Sequence, residues 1–293
     1  MASLQTPLPS ILNFRDVGKT INDFTGLNKL QEKKLYRSAR LDNATAEDRK
    51  RLIDEFAIKS VIDLRTETEH IENSKKRNQR IKANAQEAEP LKIPGIAYHE
   101  INFNGKGYSN SLIKQLTWHQ FFRLIRLMAM GYRTEGIRVL GENVMRARGL
   151  TGLAVDSIDA CTKEVKQVFD VLSNPESYPV LVHCTQGKDR TGLVVMLVLQ
   201  VLVLDVGSTK HDYMLSEAEL APEREERLKE IESIGLTEEF ARCDPLMVKT
   251  VYKHILDKYG GIDKYLSEAC GVDAAAQDRV RRIMERRWSL GVA

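Results

Sequence analysis

At 293 residues, with 42% hydrophobic and 29% charged, the chain can bury a sizeable core, as one α/β domain with insertions or as two domains, and it carries no internal repeat or low-complexity segment. Its net charge of +3 is too small to point to nucleic acid. Four cysteines, Cys161, Cys184, Cys243 and Cys270, show neither metal-ligand pairing nor a dense secreted pattern, so the expectation is a reducing, cytoplasmic setting with no metal and no cofactor. Met1 to Thr20 lacks the basic start and apolar centre of a signal peptide. The longest apolar run, Leu193 to Leu204, falls short of the ~20 residues that cross a bilayer and reads as a buried core helix.

In chain order, Ile11 to Gly18 (Ile-Leu-Asn-Phe-Arg-Asp-Val-Gly) ends in a glycine suited to a turn, and Lys34 to Leu41 reads as a short strand or an extended segment. Thr45 caps a helix with acids in its first turn and an apolar face of Leu52, Ile53 and Phe56. Ile58 to Leu64 has the β-branched character of a buried parallel strand, and it puts Asp63 at the sheet edge where α/β folds bind ligands. A polar, lysine-rich stretch at about 69–94 reads as an exposed insertion, part helix and part loop. Ile96 to Phe103 is the next strand, after which Gly105 and Gly107 break the pattern.

The region of about 105–150 is a helical insertion heavy in arginine: Arg123, Arg126, Arg133, Arg138, Arg146 and Arg148. Trp118, Phe121, Phe122, Leu124, Ile125, Leu127 and Met128 make it more apolar than a surface helix requires. It reads either as a helix pair packed on the sheet or as a mobile lid over the active site that touches lipid. Asp156 can cap the next helix, whose apolar face is Ile158, Cys161, Val165, Val168, Phe169 and Leu172, and Asn174-Pro175 stops it. His211 to Leu220 and Glu223 to Glu232 read as helices, the second a solvated face with internal ion pairs. Asp244-Pro245 opens a helix that Tyr259-Gly260-Gly261 closes, and Ile262 to Ala269 makes a short one. Asp273 caps the last, whose Arg279, Arg281, Arg282, Arg286 and Arg287, with Trp288, lie toward its end; the helix dipole favours such cations, and contact with an anionic membrane is the alternative.

The chemistry concentrates in Val180-Leu181-Val182-His183-Cys184-Thr185-Gln186-Gly187-Lys188-Asp189-Arg190-Thr191-Gly192. A buried strand here hands over to a helix N-terminus, leaving backbone N–H groups to converge on an anion. Cys184 at that point would be a thiolate with a pKa lowered into the ~3.5–7.5 range of such sites. The amides of Thr185, Gln186, Gly187 and Lys188 can hold the equatorial oxygens of a phosphate, with Gly187 permitting the turn. Arg190 supplies a bidentate clamp, Asp189 is a candidate general acid, and Thr191 can hydrogen-bond the Cys184 sulfur. His183 reads as a histidine that orders the loop.

The loop His-Cys-x-x-Gly-Lys-Asp-Arg-Thr-Gly resembles that of the cysteine-dependent tyrosine/dual-specificity phosphatases, above all the microbial and fungal tyrosine/serine phosphatases with Gly-Lys-Asp-Arg in the loop. Asn13-Phe14-Arg15-Asp16-Val17-Gly18, Tyr36-Arg37-Ser38, Val61-Ile62-Asp63-Leu64-Arg65, Asp212-Tyr213-Met214-Leu215-Ser216 and Tyr259-Gly260-Gly261-Ile262-Asp263-Lys264-Tyr265-Leu266 also match that pattern, so the resemblance extends over most of the chain. Lys19 departs from it, a second glycine being usual there. The resemblance implies a central, mostly parallel sheet flanked by helices, in a single phosphatase domain over residues 1–293. It implies Cys184 as nucleophile, Arg190 as phosphate clamp and Asp189 as acid, with Asp63 and then Asp156 as alternatives. It associates Lys188 with extra substrate phosphates. The expected substrates are phosphotyrosine proteins, with phosphoserine/threonine beside them; phosphoinositides are the alternative, and a catalytically silent phosphate-binding module is the reading from another class.

Overall fold

The computed structural model describes residues 7–84 and 90–286. Strands β1 (Arg15–Asp16), β2 (Leu35–Ser38), β3 (Ser60–Asp63), β4 (Ala97–Glu100) and β5 (Val180–His183) form one sheet in the order β1-β2-β5-β3-β4. β1 is antiparallel to β2 and every other pairing is parallel, which bears out the mostly parallel α/β architecture. The register sets Ser38, His183 and Asp63 level across the three central strands, so the residues that follow β5 emerge between β2 and β3. That is the carboxyl edge at which open α/β sheets bind ligands.

Helices α1 (Val17–Thr25), α2 (Ala46–Asp54), α3 (Glu67–Asn84), α4 (Lys106–Ile113), α5 (Trp118–Ala129), α6 (Arg133–Leu140) and α7 (Arg146–Ala160) precede β5, with α8 (Thr162–Leu172) leading into it. After it come α9 (Asp189–Val201), α10 (Val206–Glu219), α11 (Arg224–Ser233), α12 (Met247–Tyr259), the short α13 (Ile262–Lys264) and α14 (Ala274–Met284). Side chains alternate across β5. Val180 and Val182 join the large core with α8, α9, α12 and α14, while Leu181 faces a smaller cluster with Leu8, Ile11, Phe14, Tyr36 and Leu52. Helix α9 is buried from Thr191 to Val201, as its apolar run, interrupted at Gln200, requires. Among the described residues no helix is long and apolar enough to cross a membrane.

Several local expectations are corrected. Gly18 sits inside α1 rather than in a turn, and its missing side chain lets the Gln31 carbonyl approach: a Cβ there would lie 2.5 Å from that oxygen. Asp156 caps nothing; it lies within α7 and binds Arg148, because the chain stays helical to Ala160 once past a break at Gly149 (φ +61). Helix α12 begins at Met247, two residues beyond Pro245. Thr45 and Asp273 do cap α2 and α14, accepting from Asp48 and Ala276 amides at 3.2 and 2.7 Å. The polar stretch after β3 holds α3, whose first turn faces inward. Arg287 and Trp288 lie outside the described residues.

Candidate active site

The turn Cys184–Lys188 joins β5 to α9, and its carbonyls are held from outside. The Asn13 amide donates to the Gln186 and Gly187 carbonyls at 3.0 Å each, and the Arg40 N–H to the Thr185 carbonyl at 3.1 Å. Arg37, fully buried, donates to the Gly187 and Lys188 carbonyls at 2.5 and 3.2 Å. With these carbonyls turned outward, the amide hydrogens of the turn are left for an anion on its inner side. Gly187 makes the turn at φ +64, and a Cβ on it would overlap the Ser38 carbonyl, so no other residue fits.

This bracket is itself braced. The Asp212 carboxylate receives Arg37 on one oxygen and Arg15 Nε on the other at 2.8 Å, while Arg15 also reaches the Asp212 carbonyl at 2.6 Å and Ser216 Oγ at 3.1 Å. Burial disfavours the Asp212 charge, but the two guanidinium groups more than offset that and keep its pKa below the usual carboxylate range. Asn13, Arg15, Arg37, Asp212 and Ser216 thus have a physical role in shaping the turn. Sequence reasoning had noted them only as matches to a pattern.

Cys184 is buried at the head of the turn. The other three thiols are raised by burial, Cys161 and Cys243 to about 12 and Cys270 to about 11, which leaves them protonated and inert. Arg190, in the first turn of α9, gives Nη1 to the Leu64 carbonyl at 3.1 Å. Its two terminal nitrogens also reach Glu69, at 2.7 and 2.5 Å, and Thr185 Oγ1 donates to the same carboxylate at 2.6 Å. Burial would raise Glu69, yet Arg190 and Thr185 hold it far below the usual carboxylate range. Glu69 is the candidate site residue that the sequence reading does not find, since it assigns the residue to an exposed insertion. Its signal was Thr66-Glu67-Thr68-Glu69, a capping box directly after β3: Glu69 accepts from the Thr66 N–H at 2.9 Å and returns its own N–H to Thr66 Oγ1 at 3.3 Å.

The remaining candidates divide clearly. Asp189 is beside Arg190, with its side chain 45% exposed and the Tyr213 hydroxyl 3.4 Å from Oδ1. Gln186 is buried, and its backbone carbonyl takes the Asn13 amide. His183 is buried behind the turn, Nδ1 3.0 Å from the Cys184 carbonyl and Nε2 3.5 Å from Asp63; burial lowers its pKa. Thr191 Oγ1 is buried without a hydrogen-bond partner among the described residues, so the expected bond to the Cys184 sulfur is not made here. Lys188 is a correction. Its ammonium is buried and donates to the Phe240 and Arg242 carbonyls at 3.2 and 2.6 Å, pinning the chain before α12 instead of offering charge to a substrate. Asp63 is ion-paired to Arg65 at 2.7 Å; burial opposes its charge, but His183 and Arg65 outweigh burial and hold its pKa at about 2.

A cavity of about 280 Å³ starts at Glu69, Asp189 and Arg190 and runs between apolar walls that include Leu150, Leu153, Ile231, Leu236, Phe240 and Met247. On the other side of the turn, beside Thr185 and Gln186, a small recess of about 40 Å³ mixes Arg40, Arg77 and Arg227 with Asp42, Glu223, Glu226 and Glu230. A charged ring of four acids and three arginines has no surplus of positive charge for a second phosphate.

Residues 6–285 match a family model described as the tyrosine phosphatase family. The chain is 32% identical over 122 residues to the triple specificity protein phosphatase PtpB of Mycobacterium tuberculosis, a match covering 36% of this chain and 44% of that protein. It is 38% identical over 53 residues to a tyrosine-protein phosphatase of Nostoc commune, covering 18% of each. These matches span less than half the length of the curated relatives. The core catalytic domain of the PP-IP phosphatase SIW14 from S. cerevisiae, solved with citrate, aligns over 70% of this chain and 75% of that one at 15% identity and a TM-score of 0.34.

Proposed function

Since the chain belongs to the tyrosine phosphatase family, we propose that it hydrolyses aryl phosphate monoesters, phosphotyrosine in proteins first among them, through a phosphocysteine intermediate. The Cys184 thiolate attacks phosphorus, forming the S–P bond as the P–O bond to the phenol breaks. Asp189 gives its proton to the departing phenolate oxygen. Water then attacks phosphorus, Asp189 takes a proton from it, and the S–P bond breaks to return the thiolate, to which the free Thr191 hydroxyl is available as a donor. Arg190 and the amides of Thr185 to Lys188 hold the equatorial oxygens throughout, so positive charge is supplied without a metal. A reducing, cytoplasmic setting would keep Cys184 a thiol.

Asp189 is preferred to Asp63 as the acid because Asp63 is ionised and tied to Arg65, with no proton to give near neutral pH. Asp156 is taken by Arg148. The observation that carries the choice of substrate is the cavity at Asp189 and Arg190: Leu150, Leu153, Ile231, Leu236, Phe240 and Met247 give it apolar walls that suit an aromatic ring, beside a polar side of Thr66, Asn104, Tyr108 and Ser157. The inward-turned Lys188 and the balanced recess beside Thr185 also favour phosphotyrosine over phosphoinositide. The test is turnover of a phosphotyrosyl peptide and a soluble phosphoinositide side by side, with Cys184→Ser as control. A higher kcat/KM on the peptide, abolished in Cys184→Ser while peptide binding persists, is expected. Preference for the inositol lipid would overturn the substrate assignment, and absence of turnover on both would make this a phosphate-binding module.

A further inference from the structure

Six large apolar side chains stand exposed within fifteen residues: Trp118 (75%), Phe122 (62%), Ile125, Met128, Met130 and Tyr132. They belong to α5 and the turn after it, and no step of the proposed reaction uses them. At 100° per residue, Trp118, Phe121, Phe122, Ile125, Met128 and Ala129 fall within about 120° of arc. Leu127 occupies the opposite side, and Leu124, next to the Met128 edge of the arc, is buried where α5 packs on Gly136 of α6. Arg123 and Arg126 fill the arc between, both exposed and without an ion-pair partner among the described residues. Helix α5 contains no acid. Trp118 stacks on Phe122 (centroids 6.1 Å) and meets Phe121 edge-on, so the aromatic end is a continuous surface.

From these observations we infer that α5 docks on an anionic lipid surface, lying flat with its aromatic arc in the headgroup boundary and Arg123 and Arg126 against lipid phosphates. Twelve residues rise about 18 Å, too short to span a bilayer but long enough to lie along it. Tryptophan and phenylalanine prefer that boundary, and a flanking row of arginines with no acid is the matching electrostatic half. A second copy of this chain is the competing occupant. An antiparallel two-fold pairing of these faces would bring Arg123 and Arg126 toward their own equivalents, a like-charge arrangement that anionic headgroups avoid. The inference does not depend on the catalytic reading, because its readout is binding.

The test is co-sedimentation of the full chain with phosphatidylcholine vesicles, with and without phosphatidylserine. Binding is expected to rise about tenfold or more with phosphatidylserine and to weaken as salt is added. In a Trp288→Phe background, Trp118 fluorescence should shift to the blue on binding. Trp118→Ala/Phe122→Ala should abolish binding, and Arg123→Gln/Arg126→Gln should remove the preference for phosphatidylserine. Both variants should keep full turnover of a soluble aryl phosphate, which reports intact folding. Absence of vesicle binding, or binding unchanged by the aromatic substitutions, overturns the inference. So does a concentration-dependent dimer that those substitutions dissolve.

Discussion

Both oxygens of the Glu69 carboxylate lie on the Arg190 guanidinium, at 2.7 and 2.5 Å. This carboxylate comes from the first turn of α3 and keeps the clamp charged and aimed in a buried position. Removing one member of such a pair leaves the other uncompensated. Glu69→Ala should therefore cost about 3 kcal/mol of stability. Inorganic phosphate, a dianion able to replace the lost charge, should raise the melting temperature of the variant more than that of the natural protein. Thermal unfolding with and without phosphate measures this, and equal shifts would show that phosphate does not reach the place Glu69 holds.

Gly187 turns the loop at a backbone angle other residues resist, directly against Ser38. Gly187→Ala should destabilise by about 1–3 kcal/mol from backbone strain alone. Displacing the amides should also lower kcat by at least ~10-fold. An alanine variant that melts and turns over like the natural protein would show that the turn tolerates another shape.

If Asp189 protonates the leaving group, its loss matters most when that group leaves poorly. Asp189→Asn should reduce kcat on phosphotyrosine by about 10²–10⁴ and reduce it far less on an aryl phosphate with an acidic phenol. The two substrates assayed side by side decide the matter. Equal losses on both, or unchanged turnover with intact binding, would move the acid elsewhere.

Asp63 makes a pH-dependent contribution of the opposite kind, to stability. Its pKa is held at about 2, below the value of an unfolded carboxyl, so its stabilisation is present above ~4 and is lost as pH falls toward 2. The contribution is on the order of 2 kcal/mol near neutrality. Urea unfolding of the natural protein and Asp63→Asn should show a gap of that order at neutral pH that narrows through this acid window. A constant gap would mean that Arg65 and His183 do not hold the charge.

The strand, turn and helix around Cys184 were legible because the proposed nucleophile, clamp and acid lie within seven consecutive residues, where local pattern and chemistry coincide. The parallel strands were legible for a similar reason, each being a short apolar run ending at the same edge. Glu69 was not, because its partner Arg190 is 121 residues away and its surroundings are polar. The Lys188 ammonium was misread as charge for extra substrate phosphates because the carbonyls that absorb it, Phe240 and Arg242, belong to a short 3-10 turn and the residue after it, whose placement no local rule predicts. Asp156 was misread as a cap because a capping residue and an ion-paired residue within a helix look alike until Gly149 is known to break the chain earlier.

The bracket behind the turn has a consequence in time. Asn13 meets Gly187 across 174 residues, Arg37 meets it across 150, and Arg15 meets Asp212 across 197. Contacts so remote carry a heavy loop-closure cost before they return any stability, which makes them late events in folding. A chain still being synthesised, with Cys184 and Arg190 already out of the ribosome, lacks Asp212 and has nothing to neutralise Arg15 and Arg37. Its Cys184 is present but the turn around it is not yet shaped. The proposed activity therefore arrives late, once the two halves of the sequence close on each other.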